Sequence, residues 1–439
     1  MAVTEASQGG TGGEKSGSKR RFFDLSLSYN YDRYFLILLL VSIAFRVLWL
    51  DVPDGYGTGG ALIFDEAYYV NVARVLLGWP QGPDPSNPVW PNAVPGVDPN
   101  SGVPPLAKLM ITGSMLLLGD NAWGWRLPSV IMGTLSILMF YLLMKRMSGN
   151  GRFSLLAAFL LSFDNLIFVD SRIAILDIFS LGFMILGFYL YIMERPKLSA
   201  VVLALSTLSK VIGLYGFLTI VIFHLLRDTR PGELVKKWKS ILVSKGPWLL
   251  TFGFYYVATG FLLLLPLSRL SGFANPFEDI PAVYQGFMVL TSPVAVGIES
   301  QPLQWLLNQV PITFYGLSIS TGGITYQTIA FVGAMNPFII YMTVPGMAYA
   351  LYRYDQRNSQ VALFLLCWFA GTYFPWFPIV YVAQRIAYIF YFQNTIPAVA
   401  GAIALLLSNK HVPRSIVLVY VLLVLVGFAW YFPFKKIPL

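Results

Sequence analysis

The sequence predicts an all-α integral membrane protein with about eleven transmembrane helices and a long first outer loop that contains interfacial helices. Hydrophobic residues make up 56% of the 439-residue chain and charged residues only 12%, about half the charged share of a soluble domain. Apolar runs of roughly 17–25 residues recur along the chain, each long enough to cross a hydrocarbon core about 30 Å thick. Lys and Arg collect in short clusters between these runs, as the positive-inside bias requires.

Composition also excludes some functions. The formal net charge is +9, but the basic residues form no stripe of the kind that binds nucleic acid, so we expect no nucleic-acid partner. A single cysteine, Cys367, lies within an apolar run. An intramolecular disulfide and a cysteine-based metal cluster are therefore excluded.

The first elements set the predicted orientation. Residues 1–33 read as a disordered, basic, cytoplasmic N-terminus, and residues 34–439 as one membrane domain. The first span, Tyr34–Leu50, follows basic residues that hold its start in the cytoplasm. Residues 51–126 then form the outer loop in which we expect catalysis. Within it Pro105–Leu118 is too short to span and is predicted to be interfacial or re-entrant.

The remaining spans follow from apolar length and Lys/Arg bias. The first of them delivers Lys145, Arg146 and Arg152 to the cytoplasm, and residues 268–325 form a second outer loop. The C-terminus then lies outside, although Lys435 and Lys436 run against this bias. The predicted spans are Leu127–Met144, Leu155–Val169, Ile173–Met193, Leu198–Leu208, Ile212–Leu226, Trp248–Leu267, Ile329–Tyr352, Val361–Val380, Ile386–Leu407 and Ile416–Tyr431.

Charged residues concentrate at the outer rim of this arrangement. A charge near the bilayer centre costs about 2.5–3.5 kcal/mol on insertion scales, so such groups usually face a partner, water or substrate. Carboxylates and cations at one rim predict a functional site. The set consists of Asp65, Glu66, Lys108, Arg126, Asp170, Arg172, Asp177 and Arg385.

Most members of this set also have a simpler interpretation. Asp65 and Glu66 could simply form the acidic start of an amphipathic helix, where the helix dipole favours carboxylates. The arginines that open spans suit snorkelling to the interface. Asp170 and Arg172 suit a local ion pair. The charge pattern alone leaves these alternatives open.

Several motifs in a fixed order carry a family resemblance. The chain resembles the dolichyl-phosphate-mannose protein O-mannosyltransferases and the wider lipid-phosphate-sugar transferases of the C-type glycosyltransferase fold. The segment around Ser171–Ile178 is the most specific. The matching segments are Phe64–Tyr69, Pro104–Lys108, Trp125–Ser129, Ser171–Ile178, Leu208–Lys210 with Gly213–Tyr215, Asn336–Pro337 and Arg385–Pro397.

The resemblance implies a catalytic centre at Asp65 and Glu66 in the first outer loop. A carboxylate there would accept the proton of an incoming hydroxyl, and one direct displacement from the lipid phosphate would invert the anomeric carbon. Cations would gather the charge of the leaving phosphate. The candidates are Arg126 and Arg385, followed by Arg172 and Lys108, with Asp170 and Asp177 as supporting residues.

The partners implied are a polyprenyl- or dolichyl-phosphate sugar, with mannose as the expected sugar, membrane lipid, and a protein Ser/Thr or glycan acceptor. The second outer loop is too short for the soluble sugar-binding-like domain of eukaryotic relatives, which predicts a compact prokaryotic form in the plasma membrane, with its active site on the extracytoplasmic face. Val103 stands where many members have His. Some relatives use a divalent metal; the metal, any other cofactor and homo- or hetero-oligomerisation stay undetermined.

Other functions remain as alternatives. A lipid- or glycan-directed transferase would share the same spans, a transporter would use the rim charges to pass a substrate, and a non-catalytic subunit would keep the fold alone. No internal repeat is detectable, which argues against transporters built from repeated halves.

Overall fold

The computed structural model describes residues 22–53, 62–82, 86, 88–229, 234–291, 297–321 and 324–438. The chain is mostly helical, as predicted, but it also contains three strands, so the expectation of an all-α fold is wrong. The helices are α1 (Asn30–Val47), α2 (Glu66–Leu77), α3 (Leu106–Leu118), α4 (Ala122–Ser148), α5 (Gly151–Ser162), α6 (Asn165–Asp170), α7 (Asp177–Ile192), α8 (Pro196–Ser209), α9 (Leu214–Leu226), α10 (Leu234–Leu270), α11 (Pro276–Met288), α12 (Pro302–Trp305), α13 (Pro337–Ile340), α14 (Thr343–Arg357), α15 (Gln360–Tyr373), α16 (Ile396–Leu407) and α17 (Arg414–Trp430). The strands are β1 (Ile312–Thr321), β2 (Ile324–Gly333) and β3 (Phe434–Pro438).

Among the described residues, four helical stretches are long and apolar enough to cross a membrane. Each contains or nearly contains a predicted span, and six shorter apolar helices accompany them. The predicted short helix before α4 is present as α3. Residues 1–21 of the predicted N-terminal segment lie outside the described residues. The four stretches are Ala122–Ser148, Lys237–Leu270, Gln360–Val382 and Ile389–Leu407.

Two predicted spans differ from the structure for local reasons. The span Leu155–Val169 is divided into α5 and α6, because the Asp164 side chain accepts a hydrogen bond from Ile167 N (3.1 Å) and caps a new helix. The span Ile329–Tyr352 is wrong. Its first residues belong to strand β2, the four-residue helix α13 follows at Pro337, and the longer helix α14 begins only at Thr343.

The strands form an antiparallel sheet in the order β1-β2-β3. In β1, Ile312 and Phe314 are buried while Thr313 is exposed, the alternation of a half-buried strand. Phe314 stacks on Phe64, with ring centroids 4.4 Å apart. The sheet therefore anchors the residue immediately before Asp65.

The core of the bundle is built on α4, α7 and α8, with α4 packed against α7 and α7 against α8. Small residues permit close approach: a Cβ on Gly133 of α4 would fall 2.3 Å from the Ser171 Cβ. On the outside, α10 packs mainly on α8 and exposes most of its apolar surface. This packing brings the ends of α2, α7 and α8 to one side of the bundle.

Candidate active site

A cavity of about 430 Å³ lies between the two outer loops and the ends of the helices. Asp65, Lys210 and Arg385 contribute its charged groups, and no other charged side chain lines it within the part of the chain described. The remaining wall is largely aromatic. Its rings belong to Phe64, Tyr68, Tyr69, Trp90, Phe287, Tyr388, Phe390 and Tyr391.

Asp65 is placed at the cavity by a strained turn. Phe64 has φ = 52°, a left-handed conformation that is uncommon for a bulky residue, and its ring is held by Phe314 and Phe390. Asp65 occupies the N-cap position of α2, but its side chain makes no capping hydrogen bond. The carboxylate is thus left available to the cavity.

The surroundings of Asp65 favour its protonated form. Burial raises the pKa of this carboxyl to about 6, the charge of Lys210 opposes that rise, and the charge of Asp177 adds to it. A pKa near the working pH suits a group that must accept a proton and later release it.

Lys210 brings a cation to the cavity. It ends α8, donates a hydrogen bond to the Asp177 carboxylate (2.6 Å), and lies over the rings of Phe390 and Tyr391 at 5.2 and 5.5 Å. The sequence motif around residue 210 was recognised, but this lysine was not assigned to the site. Its position in a turn between two short apolar runs could have indicated that this lysine belongs to the site.

Arg385 is the second cation of the cavity. Its guanidinium donates hydrogen bonds to the carbonyls of Phe287 and Ile386 and to the Tyr391 hydroxyl (3.2 Å), and it lies 4.0 Å from the centroid of the Phe287 ring. No described carboxylate forms an ion pair with it. Its positive charge is therefore left for a ligand.

Glu66 points away from the cavity. Its carboxylate accepts hydrogen bonds from Arg126 Nε and Nη2 (both 2.9 Å), Ile63 N (2.8 Å) and Ala174 N (2.8 Å). Arg126 also donates to the Leu50 carbonyl (2.8 Å). Glu66 is fully buried and Arg126 is 1% exposed. The pair joins the first outer loop to α4 and to the segment before α7.

Lys108 and Arg172 also lie outside the cavity lining. Lys108 pairs with Asp98 and donates to the carbonyls of Asn100 (2.7 Å) and Val103 (2.8 Å), two residues that line the cavity. Arg172 donates to backbone carbonyls at the end of α1, including Leu48 (2.6 Å). Both cations hold backbone in place.

The two supporting carboxylates differ. Asp177 binds Lys210 through one oxygen. Asp170 is fully buried, and neither of its oxygens has a hydrogen-bond partner among the described residues. The structure therefore brings Asp65 and Arg385 to one cavity with Lys210 and, behind it, Asp177. Glu66, Arg126, Lys108, Arg172 and Asp170 do not line that cavity.

No group of three or more His, Cys, Asp or Glu residues within the described ranges is arranged to hold a metal ion. Val103, where the family often has His, lies in the cavity wall. The difference in sequence thus falls at the site itself and leaves an apolar side chain there.

Comparisons with known proteins show similarity in sequence and in fold. The family model described as dolichyl-phosphate-mannose-protein mannosyltransferase matches residues 102–264. A polyprenol-phosphate-mannose protein mannosyltransferase of Mycolicibacterium smegmatis (strain MKD8) is 25% identical, and the alignment covers 91% of this chain and 88% of the relative.

Two solved structures share the fold. The S. cerevisiae protein O-mannosyltransferase Pmt1-Pmt2 complex bound to the sugar donor has a TM-score of 0.67 at 10% identity, covering 93% of this chain and 90% of that one. ArnT from Cupriavidus metallidurans in the apo state has a TM-score of 0.53 at 14% identity, covering 93% and 75%. Family match, full-length relatives and fold together confirm the resemblance that the motifs indicated: the chain is a membrane-embedded glycosyltransferase with the C-type fold, related to the dolichyl-phosphate-mannose protein mannosyltransferases.

Proposed function

We propose that this protein transfers mannose from a polyprenyl or dolichyl phosphate to a Ser or Thr hydroxyl of a protein acceptor, with Asp65 as the catalytic base. The observation that carries the proposal is the cavity in which one half-buried carboxylate without a hydrogen-bond partner among the described residues shares the wall with Lys210 and Arg385. The name of the mycobacterial relative supports the donor and the acceptor class.

The chemistry follows from these three groups. The oxygen of the acceptor hydroxyl attacks the anomeric carbon of mannose while Asp65 takes the proton of that hydroxyl. The bond from the anomeric carbon to the phosphate oxygen breaks in the same step. Lys210 and Arg385 stabilise the negative charge that collects on the departing lipid phosphate. The aromatic wall packs against the sugar and excludes water.

This arrangement supports inversion at the anomeric carbon. A retaining mechanism needs a second carboxylate beside the anomeric carbon, about 5 Å from the first. Asp65 is the only carboxylate lining the cavity within the described part of the chain, and the oxygens of Glu66 are occupied by four donors. A single displacement uses the groups that are present.

For the remaining cations and carboxylates we propose positioning roles. Arg126 and Glu66 fix the loop that carries Asp65, Lys108 fixes the backbone at residues 100–103, and Arg172 fixes the end of α1. Asp177 holds the Lys210 ammonium in place, with Asp170 as a further buried acid near it. These assignments differ from the direct phosphate contacts expected of Arg126, Arg172 and Lys108.

The proposed orientation keeps the N-terminus in the cytoplasm and the cavity on the extracytoplasmic face, with about eleven crossings. Basic residues at the end of α4 support it, because they lie at the opposite end of that helix from Arg126. Cys367 is the only cysteine. Single cysteines introduced at Trp90 and Lys410 on a Cys367→Ala background should therefore react with impermeant reagents from opposite sides of the membrane.

The decisive experiment measures transfer from radiolabelled polyprenyl-phosphate mannose to an acceptor peptide. Asp65→Asn should lower the rate by about 10²–10⁴-fold, the usual contribution of a positioned base. Asp355→Asn, at an exposed carboxylate at the end of α14, is the matched control and should be fully active. Equal rates for the two variants would refute the assignment of Asp65, and donor hydrolysis without glycopeptide would refute the acceptor class.

A further inference from the structure

A second polar recess lies at the other end of the molecule. It is formed where α4, α14 and α16 end, and its two parts of about 300 and 340 Å³ share Arg353, Ser408 and Asn409. Helix α4 has 27 residues. Its stretch from Arg126, beside the catalytic loop, to Ser148 in this recess is about 33 Å long at 1.5 Å per residue. The recess is therefore separate from the catalytic cavity.

The recess is lined by cations and contains no described carboxylate. Arg353, Arg357 and Lys410 supply the positive charges, and the His411 side chain also lines the wall. The guanidinium of Arg353 donates to the Tyr349 hydroxyl (3.2 Å), whereas its buried Nε has no hydrogen-bond partner among the described residues. No side-chain hydrogen bond from these cations to the helix-terminal carbonyls is present in the described part of the chain. Capping of helix ends thus does not account for them.

The Tyr349 hydroxyl adds a donor to the recess. Tyr349 accepts hydrogen bonds from Arg353 and from Asn409 Nδ2 (2.6 Å), which leaves its own proton to be donated. The Asn409 amide oxygen is occupied by His411 N (3.1 Å). The Ser408 hydroxyl donates its proton to the Leu405 carbonyl (3.3 Å) and has none left for a ligand. Three cationic side chains and the free Tyr349 hydroxyl proton suit an anionic group that only accepts hydrogen bonds, such as a phosphate.

Beside the recess, α14 has an apolar outward face. Val344, Leu351 and Tyr352 are 66%, 57% and 54% exposed. Tyr352 also lines the recess, and an exposed tyrosine next to basic groups is typical of headgroup depth in a bilayer. A ligand with a phosphate and an apolar tail would fill both surfaces.

From this geometry we propose that the recess at the ends of α4, α14 and α16 binds the phosphate of an anionic phospholipid, with its acyl chains along α14. The site is independent of the transferase reaction, and basic recesses between membrane helices are known to take such headgroups. Arg353 supplies a planar fork to the phosphate oxygens, and Lys410 supplies a point charge.

The test is native mass spectrometry of the full chain released from detergent, with phosphatidylglycerol, phosphatidylcholine or inorganic phosphate added. The wild type should retain one phosphatidylglycerol at concentrations where phosphatidylcholine is lost. The double variant Arg353→Gln/Lys410→Gln should bind phosphatidylglycerol about tenfold more weakly or worse, since each charge-assisted contact contributes on the order of a tenfold change in affinity.

A matched control removes two charges from the same end of the molecule. Arg195→Gln/Lys197→Gln changes exposed residues at the start of α8 and should leave lipid binding intact. Equal weakening in both double variants would indicate unspecific surface charge and overturn the proposal, as would undiminished binding in the first. Retention of inorganic phosphate at equal concentration would overturn the lipid as the source of the phosphate. Normal mannose transfer by the double variant shows that it is folded.

Discussion

Asp65 and Glu66 are neighbours in sequence with opposite environments. Asp65 ends a strained turn and faces the cavity, whereas Glu66 begins α2 and turns into the protein, where four donors occupy its oxygens. The Glu66 carboxylate is therefore held in one position, and it holds the neighbouring Asp65 at the cavity. A base held this way needs little reorganisation when the acceptor hydroxyl arrives.

The raised pKa of Asp65 predicts an acid limb in the pH profile. Because the base must be ionised, kcat/KM for transfer should fall about tenfold per pH unit below a midpoint near pH 6 and level off above it, since burial raises this pKa to about 6. Initial rates over a pH series in a constant-ionic-strength buffer measure this. Lys210→Gln should move the midpoint upwards, because the lysine charge lowers the Asp65 pKa. A flat profile between pH 5 and pH 7, about one unit either side of the midpoint, would contradict the role of Asp65 as the base.

Glu66→Gln separates a structural role from a catalytic one. Removing the charge leaves Arg126 buried without its counter-ion, which typically costs about 3–5 kcal/mol of stability. We expect a markedly lower Tm in detergent for Glu66→Gln and an unchanged or higher Tm for Asp65→Asn, which loses a partly buried charge. Differential scanning fluorimetry compares the two. A Glu66→Gln protein with native Tm and no activity would make Glu66 a reacting group instead.

At this scale the sequence predicts some residues of the candidate site and not others. Asp65 and Arg385 were predicted because they belong to the charged set at the outer rim and also lie in motifs of the family resemblance. Arg126, Lys108 and Arg172 satisfy the same rule by binding groups distant along the chain; Arg126, for example, reaches Glu66 across 60 residues. Such partners cannot be recognised without the fold.

Among the elements, α11 and the first outer loop are in direct backbone contact, because a glycine lies on each side of the contact. A Cβ on Gly286 would lie 2.6 Å from the Gly102 carbonyl oxygen and 2.7 Å from its Cα. Both glycines line the catalytic cavity. The contact closes the cavity wall between the two loops.

Gly286→Val should open this wall. The side chain would act as a wedge and displace the loop that carries Gly102, so KM for the lipid donor should rise several-fold while the protein stays folded. Gly260→Val is the control, because Gly260 also lies in a helix but a Cβ added there would have no atom within 4 Å. Steady-state kinetics of both variants measure the effect. Equal KM values would show that the close contact is not needed.

Elements were predictable where hydrophobic length alone defines them. Helix α4 and the helix ending at Leu407 follow directly from long apolar runs. The β1–β2 hairpin was missed, since β2 is apolar enough near its end to read as the start of a span. Alternation of apolar and polar residues towards both ends of β1 was the overlooked signal in the sequence.

In the whole molecule, four helical stretches are long and apolar enough to span a membrane among the described residues, and the one in α10 is the least buried of the four. Helix α10 has 37 residues, about 55 Å at 1.5 Å per residue, and only 11% of its most apolar stretch is buried. A hydrocarbon core is about 30 Å thick, so this helix extends beyond it or tilts within it. Its C-terminal end leads into α11, which supplies Gly286 and Phe287 to the cavity wall.

We expect the length of this peripheral helix to couple catalysis to bilayer thickness. In thinner membranes α10 must lean further, and the inclination reaches α11 and the wall that carries Phe287, against which Arg385 rests. Reconstitution into vesicles of phosphatidylcholines with progressively longer acyl chains should therefore give an optimum in transfer rate, with slower turnover at both extremes. A rate independent of chain length would mean that the outer loops hold the cavity without help from the membrane around them.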